Sequence, residues 1–325
     1  MNCRKLASHT WGKQYSLKTF KNVIGRDPKL LPSCDLYIAG VPCPPWARGG
    51  KRQGLESEDG KLWKETILVV RHVQPKAFVI ENVFGLLDKK FQETFDCILK
   101  ALDEAGYHVF YRVLDTKEHG LPQMRRRVYI VGVNRRVRPG RVDFKWPEPL
   151  PVTLPLENVI GSPPPSLACL QPLDRFQKML PPPTMTRARM NVLEALKRIA
   201  KSDPGVDVYR DNIVVDIGCS LTHLTKQINV FPTITATRGR SRDWWLLRQG
   251  RQATVRDLCR LQGVPDGTFD IQGCKIKPTA LGHMVGNMMS VNVLERLLPN
   301  VLDAIGCKAS MPTPDPWLEL ERVNL

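Results

Sequence analysis

The sequence predicts an α/β fold built on a parallel sheet. Three observations predict it. Short apolar runs of strand character alternate with amphipathic helical stretches between residues 31 and 133. A proline-rich stretch breaks that alternation between residues 146 and 183. Helical periodicity then returns over residues 255–261 and 291–305.

The elements follow in order. Residues 35–40, DLYIAG, form a short apolar strand ending in glycine. Residues 62–73, LWKETILVVRHV, read as a helix with Leu62, Thr66, Val69 and Val73 on one face, stopped by Pro75. Residues 77–80, AFVI, are a buried-type strand followed by the polar pair Glu81 and Asn82. Residues 91–105 form an amphipathic helix whose apolar side is Phe91, Phe95, Ile98, Leu99 and Leu102. Two strands follow, 107–114 and 127–133. Strands alternating with helices argue for parallel pairing. In such sheets ligands bind beyond the carboxyl ends of the strands. Pro42-Cys43 and Glu81-Asn82 both stand just past a strand end. Two strands thus deliver a thiol and a carboxylate to one edge. The stretch 146–183 reads as linker and loop. A basic amphipathic helix over 188–201 follows, with Met190, Leu193, Leu196 and Ile199 as its stripe, and then a strand over 208–217.

Composition bounds the function. The chain has 325 residues, enough for one large domain or two modest ones. Hydrophobic residues make up 42% and charged residues 25%, as in ordinary globular proteins. No apolar run approaches the roughly 20 residues of a membrane span. The first residues lack the apolar core of a secretory leader. The net charge of +16 favours a polyanionic partner, and nucleic acid is the commonest. Two windows hold most of it. Residues 123–145 carry eight basic residues against one acid, and residues 235–261 carry seven arginines against two aspartates. The second also holds Trp244 and Trp245, which suits backbone contacts and base stacking. The bland alternative is a solvated basic face over buried tryptophans. Nine cysteines occur without a C-x-x-C pair, which gives a zinc site or disulfide framework little support.

Three groups carry candidate chemistry. Cys43 lies between Pro42 and Pro44, ahead of Arg48, Gly49, Gly50, Lys51 and Arg52. Nearby cations favour the thiolate, the nucleophilic form. Alone, a loop cysteine is more often a small bland residue. Glu81 follows four apolar residues, where burial can raise its pKa and make it an acid. A salt bridge or a helix N-terminal charge is the plainer reading. In an extended segment Gln123, Arg125 and Arg127 share a face, able to hold a base carbonyl or phosphate, or merely to form a basic strand edge.

The order of the motifs decides more than any one of them. GVPCPPWARGGKRQG, FVIENV, EHGLPQMRRRVYIV, FPTITATRG, VRDLCRLQGVPDG and GHMVGNMMSVNVL, in that order, resemble the cytosine-5 DNA methyltransferase family over residues 20–133 and 230–300. The resemblance implies a Rossmann-like, S-adenosylmethionine-dependent methyltransferase sheet. It implies a catalytic core over 1–150, a target-recognition region and linker over 151–230, and a return to the core over 231–325. Cys43 resembles the nucleophile that adds to C6 of cytosine. Glu81 resembles the group that contacts N3 and the exocyclic amine. Arg127 resembles the ligand of the cytosine O2, with Arg125 supporting it. The implied substrate is cytosine in double-stranded DNA, flipped out of the stack. The implied location is the nucleus of a eukaryote or else the cytoplasm.

The sequence also departs from the family. No Gly-rich loop precedes Cys43, and the chain begins just before the family's third motif. The resemblance therefore implies a truncated sheet and a chain weak on its own. The cofactor contacts left are Asn22, Val23, Leu62 and Asn287. Pro44 and Ala47 replace the usual Gln and Ser, and Pro44 lacks an amide N–H. Two alternatives stand beside the main reading: a non-catalytic relative that binds DNA by its basic face, and an RNA cytosine-5 methyltransferase. The intact Cys43, Glu81 and Arg127 set argues against the first.

Overall fold

The computed structural model describes residues 23–41, 58–151, 153–268 and 276–307. Its strands are β1 (Leu36–Gly40), β2 (Ala77–Val83), β3 (Tyr107–Asp115), β4 (Arg126–Asn134), β5 (Ile213–Asp216), β6 (Lys226–Ile228), β7 (Trp244–Leu246) and β8 (Arg251–Gln252). Its α-helices are α1 (Glu58–Val73), α2 (Gln92–Glu104), α3 (Leu156–Ile160), α4 (Pro165–Ala168), α5 (Pro172–Met179), α6 (Thr186–Ser202), α7 (Ala236–Ser241), α8 (Val255–Leu261), α9 (Pro278–Asn287) and α10 (Val291–Ala304).

Among the described residues, the first sheet has the order β1-β2-β4-β3. β2 is buried on both faces, as its continuous apolar run dictates. Phe78 and Ile80 point to one face, where Trp63, Ile67 and Val70 of α1 and Phe95, Ile98 and Leu102 of α2 cover them. Ala77 and Val79 point to the other, against Val293, Leu297 and Val301 of α10. Each of those fully buried aliphatic side chains contributes about 1.5–3 kcal/mol of burial. Gly132 of β4 pairs with Phe78 of β2, and a Cβ there would stand 2.1 Å from the Phe78 ring. The ring occupies the place of the absent side chain.

The expected parallel sheet holds only for β1 and β2, which pair in parallel from Leu36 opposite Ala77 to Gly40 opposite Glu81. β4 runs antiparallel to both β2 and β3. The reason is the connection between β3 and β4. Residues 116–125 hold only a 3-10 turn, Thr116–His119, and a parallel crossover takes a dozen or more residues.

The stretch 146–183 is not plain linker. It holds the three short helices α3, α4 and α5, two of which have proline in the first turn, where its missing N–H costs nothing. The predicted helix 188–201 is present as α6, but its stripe is shifted. Ala188, Val192, Ala195 and Ile199 are buried, whereas Met190 is 54% exposed. A second sheet, β6-β5-β7-β8, is antiparallel throughout. α6 covers one of its faces over Ile213, Val215 and Trp245. Val214, Trp244 and Leu246 turn the other way, onto α3, α8 and α9. Trp244 and Trp245 are 2% and 4% exposed, so neither can stack on a base. The plainer reading of those tryptophans is the correct one.

Candidate active site

β1 and β2 end side by side, and β4 starts beside the end of β2. Gly40, Glu81 and Tyr129 lie in register across the three strands, and Val83 lies opposite Arg127. The ends of two parallel strands and the start of an antiparallel one thus meet at one edge. Cys43, two residues beyond Val41, lies outside the described residues, as does Asn22. Val41, the last described residue before Cys43, is held in place. The buried Asn82 side chain donates from Nδ2 to the Val41 carbonyl (2.9 Å) and accepts from Val83 N (2.8 Å). Asn82 therefore ties the chain entering the cysteine loop to the end of β2.

Glu81 is 8% exposed. Arg127 Nε lies 3.1 Å from its Oε1. The guanidinium supplies a counter-charge to the buried carboxylate. Burial raises the Glu81 pKa from the ordinary carboxylate value, and the Arg127 and Arg125 charges oppose the rise without cancelling it. A side chain at Gly40 would stand 3.4 Å from Met289 Cε and 4.0 Å from Glu81 Oε2. The bare glycine keeps the space in front of the carboxylate open.

Arg125 does a different job from Arg127. It is buried, and its guanidinium donates to the carbonyls of Ile234 (2.6 Å), Met288 (2.7 Å) and Gly286 (3.5 Å). Its backbone N–H donates to Asp115 Oδ1 (2.9 Å). Burial first, and the Arg127 charge second, lower its pKa to about 10. Arg125 clamps the end of α9 and the segment before α7 onto β4. Gln123 is buried too, donating to the Leu261 carbonyl (2.7 Å) and to Gln262 Oε1 (3.3 Å). Gln262 in turn donates to the Val285 carbonyl and accepts from Ser290 Oγ. The glutamines of two motifs far apart in sequence meet in one buried network. The Gln123 and Arg125 side chains are both buried, with Arg125 Nε left without a hydrogen-bond partner among the described residues.

A cavity of about 310 Å3 opens beside this edge, lined by Val83, Phe84, Gly85, Asp115, Met124, Arg126, Arg127 and Thr233. Arg126 lies over the Phe84 ring at 4.0 Å. Sequence reasoning placed Asn82 beside Glu81 at a strand end but gave it no role, and it did not single out Asp115, a buried polar residue at the end of β3.

The remaining cofactor candidates are more scattered. Val23 and Leu62 are half-buried, and Leu62 packs on the α1 face of the first sheet. The Gly25 N–H donates to Glu65 of α1 (3.1 Å), which holds the Val23 segment near that helix. Asn287 is exposed at the end of α9. No hydrogen bond joins Val23, Leu62 and Asn287 to one another among the described residues.

The basic windows also resolve differently from their sequence. Arg125–Arg127 stand at the site end of β4. Arg135, Arg136, Arg138, Arg141 and Lys145 follow its other end, on the order of 25 Å away at the rise of a strand. In the second window, Arg238 pairs with Asp216 and Asp243, Arg248 with Glu157, Arg251 with Asp257, and Arg256 and Arg260 both with Asp266. Much of that charge is neutralised inside the fold.

Comparison with known proteins completes the picture. The family model for C-5 cytosine-specific DNA methylase matches residues 2–303. The type II methyltransferase M.NgoBI of Neisseria gonorrhoeae is 30% identical over 292 residues, covering 90% of this chain and 81% of that protein. Among solved structures, Entamoeba histolytica methyltransferase EhMeth superposes with a TM-score of 0.54 at 15% identity, covering 88% of this chain and 82% of the other. The S. pombe Dnmt2 methyltransferase gives 0.51 at 16% identity, covering 91% and 86%. These two share the fold.

Proposed function

The chain belongs to the C-5 cytosine-specific DNA methylase family, and from that membership we propose that Cys43, Glu81 and Arg127, held by Arg125, methylate C5 of a cytosine flipped out of DNA. The observation that carries the proposal is the buried Glu81–Arg127 pair beside the bare Gly40, at the strand edge that leads into Cys43. S-adenosylmethionine, the family's cofactor, supplies the electrophilic methyl group when bound. Asn22, Val23, Leu62 and Asn287 would hold it, with Asn22 and Val23 near its adenine. The half-buried apolar surfaces of Val23 and Leu62 suit that role.

Cytosine is a poor electrophile, so its ring must be activated from both sides. The Cys43 thiolate adds to C6, forming an S–C6 bond and pushing the C5–C6 electron pair toward C5. Glu81, whose carboxyl burial disposes to hold a proton, presents that proton to N3 and stabilises the ring as charge develops there. Arg127 points its charge at the ring oxygen O2. C5 then takes the methyl group. Loss of the C5 proton to solvent restores the C5–C6 double bond and expels Cys43 as the thiolate, N3 gives its proton back to Glu81, and the enzyme returns unchanged. Residues 1–150 and 231–325 form the catalytic core in this proposal, and residues 151–230 contribute target recognition.

The test is methyl transfer from labelled S-adenosylmethionine to cytosine-containing duplex DNA. Cys43→Ser is expected to abolish transfer while leaving duplex affinity within about twofold. Equal activity in that variant removes the assignment. RNA of the same sequence is the comparison substrate, and preferential transfer to RNA would reassign the substrate.

A further inference from the structure

We propose that the exposed turn Ser220–His223, between β5 and β6, reads base edges in the DNA flanking the target cytosine, with Ser220, Thr222 and His223 as specificity-determining residues. The proposal rests on the reading that this chain acts on duplex DNA. Four successive side chains here stand in solvent, including Leu221 at 39% exposure. An exposed hairpin tip ordinarily needs little support. This one is pinned from below. The buried Asn191 of α6 donates to the carbonyls of Ile217 (3.2 Å) and Cys219 (3.1 Å). Arg187 donates to the Cys219 carbonyl (3.0 Å), and Arg198 to the Leu221 carbonyl (2.9 Å). The carbonyls leading into the turn, and those of Ser220 and Leu221 within it, are therefore held by the protein itself.

What remains for a partner is the side-chain cluster. Ser220 Oγ lies 2.8 Å from Thr222 Oγ1 and 3.0 Å from His223 Nδ1, and Thr222 Oγ1 lies 3.0 Å from the same nitrogen. Hydroxyls and a neutral imidazole both donate and accept. That suits the mixed donor and acceptor pattern of base edges in the major groove, and Leu221 suits a thymine methyl. No acidic residue occurs between positions 217 and 228. The nearby Asp216 and Asp243 both face Arg238. Nothing in the turn repels phosphate.

The turn is also rigidly related to the reacting edge. Asp216, at its base, is held by Arg238 of α7 (2.8 Å). α7 packs backbone to backbone on α9, where a Cβ at Gly239 would stand 2.1 Å from the Gly282 carbonyl oxygen. Arg125 holds the far end of α9 beside Arg127 and Glu81. A fixed distance between reader and reacting residue is what recognition of neighbouring bases requires.

Ser220→Ala, Thr222→Val and His223→Ala in the full chain test this in two assays. The first is methylation of a randomised duplex library, sequenced for modified cytosines. The second is selection of bound duplexes from the same library, which needs no methyl transfer. The expected result is a shared sequence context for the unaltered chain. At least one variant then loses on the order of tenfold discrimination at a flanking position, with unchanged thermal stability. Methylation in the same context with the same discrimination in all three variants overturns the proposal and leaves the methyltransferase reading standing. A bound context that the variants lose, without methylation by the unaltered chain, supports the turn and overturns that reading instead. Absence of any bound or methylated context overturns both.

Discussion

Removing the Asn82 side chain should damage stability and catalysis together. Asn82 is 1% exposed; its Nδ2 donates across the strand ends to the Val41 carbonyl, and its Oδ1 accepts from the N–H of its own neighbour Val83. In Asn82→Ala the Val41 carbonyl loses its side-chain donor and the Val83 N–H its acceptor. Each orphaned buried group costs about 1–3 kcal/mol. Together they should destabilise the protein by roughly 2–6 kcal/mol, a fall in Tm of about 3–9 °C for a chain of this size. Val41 also sets the path into the Cys43 loop. A displacement of the nucleophile by about 1 Å is worth on the order of 100-fold in rate. Thermal unfolding by circular dichroism and steady-state methyl transfer measure the two effects separately. Unchanged Tm and unchanged kcat would refute the view that Asn82 anchors that loop.

Further outcomes follow from the same geometry. Burial holds the Glu81 pKa above its unfolded value, so its stabilising contribution is full below that unfolded value and is lost as pH rises through the folded one. Glu81→Gln should therefore melt higher than the unaltered protein at pH 8, with the gap closing toward pH 4, while methyl transfer falls by about 100- to 1,000-fold. A gap that widens toward acid pH contradicts the sign. Gly132→Ala should destabilise by about 1–3 kcal/mol or more, because its Cβ would overlap the Phe78 ring; denaturant unfolding reads this directly. Thr254→Ala removes the capping box of α8, where Thr254 and Asp257 bond each other's backbone, and should cost about 1 kcal/mol. Trp245→Ala should cost about 3–5 kcal/mol of stability without changing the salt dependence of DNA binding, since the indole is buried and donates to the Met179 carbonyl; a changed salt slope would return that tryptophan to the DNA surface.

The first sheet was legible because its strands are long apolar runs and its helices have strong periodicity. α8 matches its sequence expectation from first residue to last. Strand direction was misjudged, because alternation of strands and helices implied parallel pairing throughout, whereas the short β3–β4 connection, with no α-helix in it, makes that pair antiparallel. Of the second sheet only β5 was legible, inside the longer strand expected over 208–217; its partners have two or three residues, too short for a period of two to stand out. The α6 stripe was misplaced because Met190 and Leu193 are apolar yet face outward, while the small Ala188 and Ala195 face in. In the candidate site, Glu81 and Arg127 were legible as residues of matching motifs, and the structure pairs them. The separate duties of Arg125 and Arg127 were not, since alternation along a strand puts both on one face and only tertiary contacts decide which is sealed in. Charge clustering misled for a similar reason. Arg251, Arg256 and Arg260 look like a basic surface in sequence, but their carboxylate partners sit six to ten residues away and fold back onto them.

The central claim is that Cys43 forms a covalent bond to cytosine C6 on the way to methylation at C5. A duplex carrying 5-fluorocytosine tests it, because fluorine cannot leave C5 as a proton does and the adduct remains trapped. Incubation with S-adenosylmethionine followed by mass spectrometry of the intact complex is the measurement. The account predicts a species with the mass of chain plus methylated duplex, with peptide mapping that places the bond on Cys43, and no such species for Cys43→Ser. No adduct with the unaltered chain, or an adduct that persists in Cys43→Ser on another cysteine, would contradict it.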